Sequence, residues 1–322
     1  PELSKSSIDF GNRANCEIVY DTVIVRNPAT SEQSFKLIAN EEIKGPACFR
    51  IINPKIKDLD LPPYDGTNAV IYIIEFNASI AAEGNNSGTL IINTDLVNYP
   101  RIEIPITASR WSSNYFFTSL DFGTIGVGVN SSANLILQIS SHFPTKIKNI
   151  TNSFPELSAD LTNFNYSILS NDTVISIKYN ILLSIAITFA DTILIEIEEP
   201  CDTILRIPVS AVSIESNINY ISTVDLGTLS QCDKRDTTIA FNYTGVSHAI
   251  INSIGNISGN GNSANLFSAN FGQSLPIILD PANPMANLII QYLGDNSFEG
   301  VFSINVPINA IIDGKDYILD IT

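Results

Sequence analysis

Four cysteines and two histidines carry the most reactive side chains in this chain. Neither His142 nor His248 has a Cys or His neighbour at a spacing that suits a zinc site. No Gly-x-Ser-x-Gly elbow is present to seat a nucleophilic serine. Asp9-Phe10-Gly11 spells a magnesium-binding triplet of protein kinases, but the Gly-rich loop, strand lysine and catalytic loop that must accompany it are missing. Gly123-Thr124-Ile125-Gly126-Val127-Gly128 is glycine-rich, yet the β-prone stretch 129–139 follows it instead of a helix, so it reads as a turn or bulge and not as a phosphate cradle. The acidic pairs Asp58/Asp60 and Asp313/Asp316 fall short of the six or more oxygens that calcium needs, and read as solvated charge. The sequence therefore predicts no catalytic residue, no metal ligand and no cofactor.

The elements around these residues explain them better. Asp9-Phe10-Gly11 recurs as Asp121-Phe122-Gly123 and as Asp225-Leu226-Gly227, roughly one domain length apart each time. The closing segments match too: Ile104-Pro105-Ile106-Thr107-Ala108 aligns with Ile207-Pro208-Val209-Ser210-Ala211. In the third copy the closing hairpin is expected to pair 301–306 with 316–322, leaving Pro307-Ile308-Asn309-Ala310 in the intervening loop. Runs such as Ile193, Ile195 and Ile197 against Leu194, Glu196 and Glu198 have the period of two of a strand with one face in a core. Isoleucine, valine and threonine favour strands, and asparagine, glycine and serine favour turns. The prediction is all-β: three tandem immunoglobulin-like β-sandwiches, 1–109, 110–213 and 214–322, forming an elongated rod. The glycine of each opener is expected to permit a bend where the strand changes sheets. The junctions carry Trp111, Tyr115, Phe116, Phe117, Tyr220 and Ile221 and lack glycine and proline. Such residues are expected to be buried between consecutive sandwiches and to hold them stiffly.

Composition narrows the partners. Lys plus Arg number 17 against 33 Asp plus Glu, a formal net charge of -16. That excludes the cationic footprint needed to displace counterions from nucleic acid, and charge-driven adhesion to an anionic membrane. The uncharged run 179–190 is too short, and too interrupted by Asn180, Ser184 and Thr188, to cross a bilayer. The chain begins at Pro1 with no signal peptide visible, as expected for a processed chain or a segment of a longer one.

The openers, the first-copy strand ending near Asn27, and the hairpin Glu199-Pro200-Cys201-Asp202-Thr203 with Arg206-Ile207-Pro208-Val209 resemble the ASH (Hydin-like) immunoglobulin-fold modules. They are more similar still to the tandem "choice-of-anchor D" type modules of large secreted bacterial surface proteins, as is Cys232-Asp233-Lys234-Arg235-Asp236-Thr237-Thr238 in the third opener. Ala108 and Ala211 stand where that group usually has glycine. The resemblance implies scaffolding, spacing and attachment at the cell surface, with no catalytic residues. The expected function is a non-catalytic extracellular structural or adhesive segment, part of a surface filament or layer or of a longer surface protein. Its expected partners are neighbouring immunoglobulin-like domains or copies of itself. The alternatives are an array that binds glycan or protein, an accessory region of a secreted hydrolase, and an intracellular ASH scaffold. In this topology Cys16 lies in the loop between the first two strands and Cys48 begins a strand at the same end, so a Cys16–Cys48 disulfide is expected, against four reduced, buried thiols. Cys201 sits in the last hairpin of the second unit, at its N-terminal end, whereas the loops of Cys16 and Cys232 lie at the C-terminal ends of their units, so Cys232 is nearly two domain lengths from Cys201 in a rod and too far to bond. Asn-x-Ser/Thr sequons occur at Asn77, Asn85, Asn130, Asn149, Asn165, Asn171, Asn242 and Asn256.

Overall fold

Each repeat opener is a local device before it is part of a sheet. Gly11, Gly123 and Gly227 take φ of 69°, 65° and 72°, the left-handed region open to glycine. Their backbone N–H groups donate to the carboxylates of Asp9, Asp121 and Asp225 at 3.0, 3.0 and 2.7 Å. In the first two copies the residue between, Phe10 or Phe122, is turned into the core. The computed structural model describes all residues except 55–57, 163, 165, 167–171, 231, 262 and 295–299; the sequons at Asn165 and Asn171 lie outside the described residues.

The first sandwich contains β1 (Glu2–Leu3), β2 (Ile8–Ala14), β3 (Ile18–Arg26), β4 (Phe35–Lys44), β5 (Phe49–Asn53), β6 (Leu59–Leu61), β7 (Val70–Asn77), β8 (Gly84–Thr94) and β9 (Arg101–Trp111). Its sheets run β1-β3-β7-β5 and β2-β9-β8-β4-β6. The second contains β10 (Asn114–Phe117), β11 (Leu120–Gly126), β12 (Asn130–Ser140), β13 (Lys146–Thr151), β14 (Leu157–Ala159), β15 (Thr173–Leu182), β16 (Ile187–Glu199) and β17 (Thr203–Ile214). Its sheets run β10-β12-β15-β14 and β11-β17-β16-β13. The third contains β18 (Asn217–Asn219), β19 (Arg235–Thr244), β20 (Ala249–Ile254), β21 (Ser258–Gly259), β22 (Phe267–Asn270), β23 (Ile277–Leu279), β24 (Met285–Tyr292), β25 (Ile304–Ile312) and β26 (Lys315–Ile321). Its sheets run β18-β19-β24-β22 and β21-β25-β20-β23, with β26 on β25.

The chain is thus all-β, three immunoglobulin-like sandwiches in an elongated tandem. The first strand of the first two sandwiches is split. β1, β10 and β18 pair antiparallel in one sheet, while β2 and β11 cross to the other and run parallel to β9 and β17. The crossing falls at 4–7 and 118–119, ahead of the Asp-Phe-Gly triplets. The glycine marks a β-bulge inside the crossed strand, seen as register shifts between Asp9 and Asn12 and between Asp121 and Thr124. The expected bend at the change of sheet is therefore misplaced, because the change needs only a few extended residues. In the third hairpin Pro307–Ala310 lie within β25, paired with β26, and not in a loop. Asp313 and Gly314, with φ of 50° and 73°, close it as a tight turn of the kind favoured in two-residue hairpins.

Three separate cores follow from the alternation, spanning Ile8 to Ala108, Leu120 to Ala211 and Ile218 to Ile321. In the first, Phe76 packs against Phe10 and Phe49 at 5.8 and 5.2 Å between ring centroids. Phe76→Ala should destabilise that sandwich by about 3–5 kcal/mol, measured as the loss of one calorimetric transition with the other two retained.

Burial pushes the phenols of Tyr72 and Tyr179 well above their ordinary range, with smaller contributions from Glu41 and Tyr166, and also raises the Cys48 thiol. The unfolded chain therefore loses these protons first, and stability should fall as pH rises above about 8.5 for the thiol and 10 for the phenols. A Tyr72→Phe/Tyr179→Phe variant should show a shallower fall above pH 10 in thermal melts; an unchanged slope would contradict the assignment.

Candidate functional site: the junctions between sandwiches

The opener's loop and the closing strand of one sandwich reach the same end, because β2 runs parallel to β9. The next sandwich presents to that end its last hairpin turn and the loop after its second long strand. At the first junction this apposition is covalent. Cys16, in the loop after β2, is bonded to Cys201, in the turn between β16 and β17, with Cα atoms 5.9 Å apart, inside the normal range for a disulfide. Asn15 Oδ1 lies 3.2 Å from Cys201 Sγ, and the Pro200 carbonyl lies 3.4 Å from Cys16 Sγ.

The expected Cys16–Cys48 bond is not formed. Cys48 sits at the same end, its carbonyl accepting from the Asn77 N–H at 2.9 Å. Its side chain, however, is buried at 1% exposure in the core of the first sandwich, whereas Cys16 faces outward.

Around the disulfide, noncovalent contacts set the angle. Trp111, the last residue of β9, stacks on His142 at 4.2 Å with rings 16° apart. The Ser112 N–H and hydroxyl donate to Glu83 at 2.8 and 2.9 Å, and Arg110 lies 3.0 Å from the same carboxylate. The Ser112 N–H bond, aided by the Ser112 hydroxyl, Arg110 and His142, holds the Glu83 carboxyl below the usual range. The Ser113 and Ser141 hydroxyls bond at 2.6 Å.

The second junction has the same geometry without a disulfide. Asp313, in the turn between β25 and β26, accepts from the Ser216 N–H at 2.8 Å and the Ser247 hydroxyl at 3.1 Å. It meets the glycine-rich loop after β11: a Cβ on Gly128 would lie 3.3 Å from the Asp313 carbonyl, and one on Gly126 would lie 3.2 Å from Ser247 Cβ. Gly128 lets backbone approach backbone, and the absence of a side chain on Gly126 leaves room for the side chains of Ser247 and of Val129. Asp313 is accordingly a junction residue and not simply solvated charge.

The aromatic and aliphatic residues of the junctions divide between the cores and the surface. Tyr115 packs against the second core and Tyr220 lies on Phe241, 5.0 Å apart and nearly parallel, in the third. Phe116 and Phe117 point outward, 58% and 38% exposed, and Ile221 is 66% exposed. The expectation that all six residues are buried between sandwiches is corrected: β10 is an edge strand whose outward face meets solvent, and Trp111 stacks across the junction because it ends a strand there.

Sequence reasoning missed His142, Glu83, Gly126, Gly128 and Asp313 as junction residues. The available signal was their position in the turns that face the neighbouring unit. Among the described residues, no group of three or more His, Cys, Asp and Glu could hold a metal ion, and no helix is long and apolar enough to cross a membrane. His142 and His248 lie in loops after β12 and β19.

No family model matches the chain, and no curated protein matches it. Among solved structures, a Porphyromonas gingivalis W83 protein of unknown function is similar at 12% identity, covering 66% of this chain and 98% of its own, with a TM-score of 0.27. The ASH/PapD-like domain 7 of human CEP192 is similar at 14% identity over 32% of this chain and 84% of its own, TM-score 0.27. The I9–I11 tandem of titin is similar at 8% identity over 99% and 97%, TM-score 0.35. The immunoglobulin-like assignment rests on the strand order and the cores, not on these likenesses.

Gly126→Val should crowd both Ser247 across the junction and Val129 within the second sandwich: more rapid proteolysis near residues 214–217 and a lowered transition of the second sandwich, with the first and third transitions unmoved. As pH falls through the lowered pKa of Glu83, its contribution to the first junction should be lost. Glu83→Gln should remove that acid-side change in Trp111 fluorescence, and persistence of the change in the variant would assign it elsewhere.

Proposed function

We propose that this chain is a non-catalytic, tension-carrying segment of an extracellular structural or adhesive protein, built of units 1–109, 110–213 and 214–322. The observation that carries this reading is the Cys16–Cys201 disulfide. A bond between sandwiches adds little to either core once each has folded; it fixes how one sits on the next. It also changes the path of force. When the chain is pulled from its two ends, tension passes from Cys16 to Cys201 through the bond, and the intervening residues, most of two sandwiches, carry none.

A stable disulfide belongs to an oxidising compartment, which supports a secreted or cell-surface location and disfavours an intracellular scaffold. The resemblance of the openers and hairpins to secreted choice-of-anchor D type modules supports the same placement. Partners on this reading are adjoining immunoglobulin-like domains, further copies of the chain, or a surface glycan or protein.

Single-molecule stretching tests the reading. The sequence separation across the bond is 185 residues. Extended chain spans at most ~3.3–3.6 Å per residue, so reduction, or Cys201→Ser, should add on the order of 600 Å of contour length to the fully unfolded trace. Equal lengths with and without reductant would contradict it.

A further inference from the structure

Cys48 takes no part in the disulfide, yet only the segment 77–78 separates it from the loop of Cys16. On one side the Ala78 N–H donates to the carbonyl of Glu17, next to Cys16, at 2.9 Å; on the other the Asn77 N–H donates to the Cys48 carbonyl at 2.9 Å. Neighbouring strands lie ~4.8 Å apart, so the backbones of Glu17 and Cys48 are roughly 10 Å apart. That exceeds the Cα separation of ~4.4–6.8 Å that a disulfide bridges. The thiol is also shut in the first core, in one cluster with Phe10, Phe49, Phe76 and Ala78. Burial there keeps it protonated, and only a thiolate attacks a disulfide. The load path removes these barriers. Tension reaching β1 and β2 passes out through Cys16, so β2 is the strand of the first core that is pulled. Its Phe10 lies 6.3 Å from the Phe49 ring and 5.8 Å from the Phe76 ring, the neighbours of Cys48 and Asn77. Drawing β2 off β9 strips the aromatic cover from the two strands that hold the thiol.

We propose that Cys48 is a latent nucleophile toward the Cys16–Cys201 disulfide, unmasked when load opens the first sandwich; this rests on the tension-carrying reading above. The Cys48 thiolate attacks Cys16 Sγ. The Cys16–Cys48 bond forms as the Cys16–Cys201 bond breaks, the bonding pair leaves on Cys201 Sγ, and that thiolate takes a proton from water. Nothing is oxidised or reduced overall, so no outside oxidant or reductant is needed. Exchange is reversible, and load selects the product that lets more chain extend. Cys16 and Cys48 are 32 residues apart, so this product frees 153 of the 185 residues that the native bond shields, whereas attack at Cys201 frees 32. The segment lengthens under load without the chain parting. On relaxation, refolding draws Cys48 back into its core and favours return of the bond to Cys201.

Force-clamp stretching of the full chain without reductant is the test. After the first extension a further step on the order of 500 Å should follow. Its rate should rise about tenfold from pH 6.5 to 7.5, as the thiolate fraction of an exposed cysteine does. Cys48→Ala should abolish the step, and Cys232→Ser should leave it unchanged. The first sandwich is already open when the step occurs, so lost stability in Cys48→Ala does not mimic that result. Iodoacetamide added after the step should label Cys201 and make the lengthening permanent. Absence of the step, while reductant still lengthens the trace, overturns the exchange and leaves the load path standing. Full length from the first pull, with or without reductant, overturns both. A step of about 100 Å would place the attack at Cys201 and overturn the assigned product. A step that survives in Cys48→Ala and vanishes in Cys232→Ser overturns Cys48 as the nucleophile.

Discussion

The tie between Cys16 and Cys201 is the constraint on which the arrangement of the first two sandwiches depends. Each sandwich has its own core, and its strand pairings stay within it. What one sandwich can tell the next must pass through a few loop residues at their facing ends. Those loops are set by the fold: parallel pairing of β2 with β9 carries the opener's loop and the closing strand to one end, and the neighbour's hairpin turn stands opposite. A disulfide in that gap fixes distance, Trp111 on His142 fixes tilt, and the Ser112–Glu83–Arg110 group fixes the path of the connecting residues.

The second junction solves the same problem by close packing. Gly126 and Gly128 remove side chains where Asp313 and Ser247 arrive, and Asp313 holds the first residues after β17. Covalent and glycine-mediated contacts therefore occupy equivalent places in successive repeats.

The sandwiches were legible in the sequence because their signals are local. A period of two along Ile193 to Glu198 names the buried face, and the recurrence of Asp-x-Gly names the repeat, although the bend expected of its glycine proved to be a bulge inside the crossed strand. Contacts between units were harder to read, since they depend on which loops meet across a gap. Cys16 and Cys201 were placed at the facing ends of consecutive units by topology alone, yet pairing was sought inside one unit, where Cys48 is adjacent but turned inward. Tyr115 and Tyr220 were read as junction padding because sequence position does not reveal whether the first residues of a unit face its own core or its neighbour. The third closing hairpin was drawn too loosely because Asp313-Gly314 was weighed as charge and not as a turn.

Peptide mapping without reduction tests the central tie most directly. Trypsin should release Ala14–Arg26 joined to Tyr179–Arg206, the fragments that hold Cys16 and Cys201. The account predicts that joined pair in protein recovered from an oxidising compartment, with Gly45–Arg50, which holds Cys48, released as a thiol peptide. Recovery of Ala14–Arg26 joined to Gly45–Arg50 would contradict it.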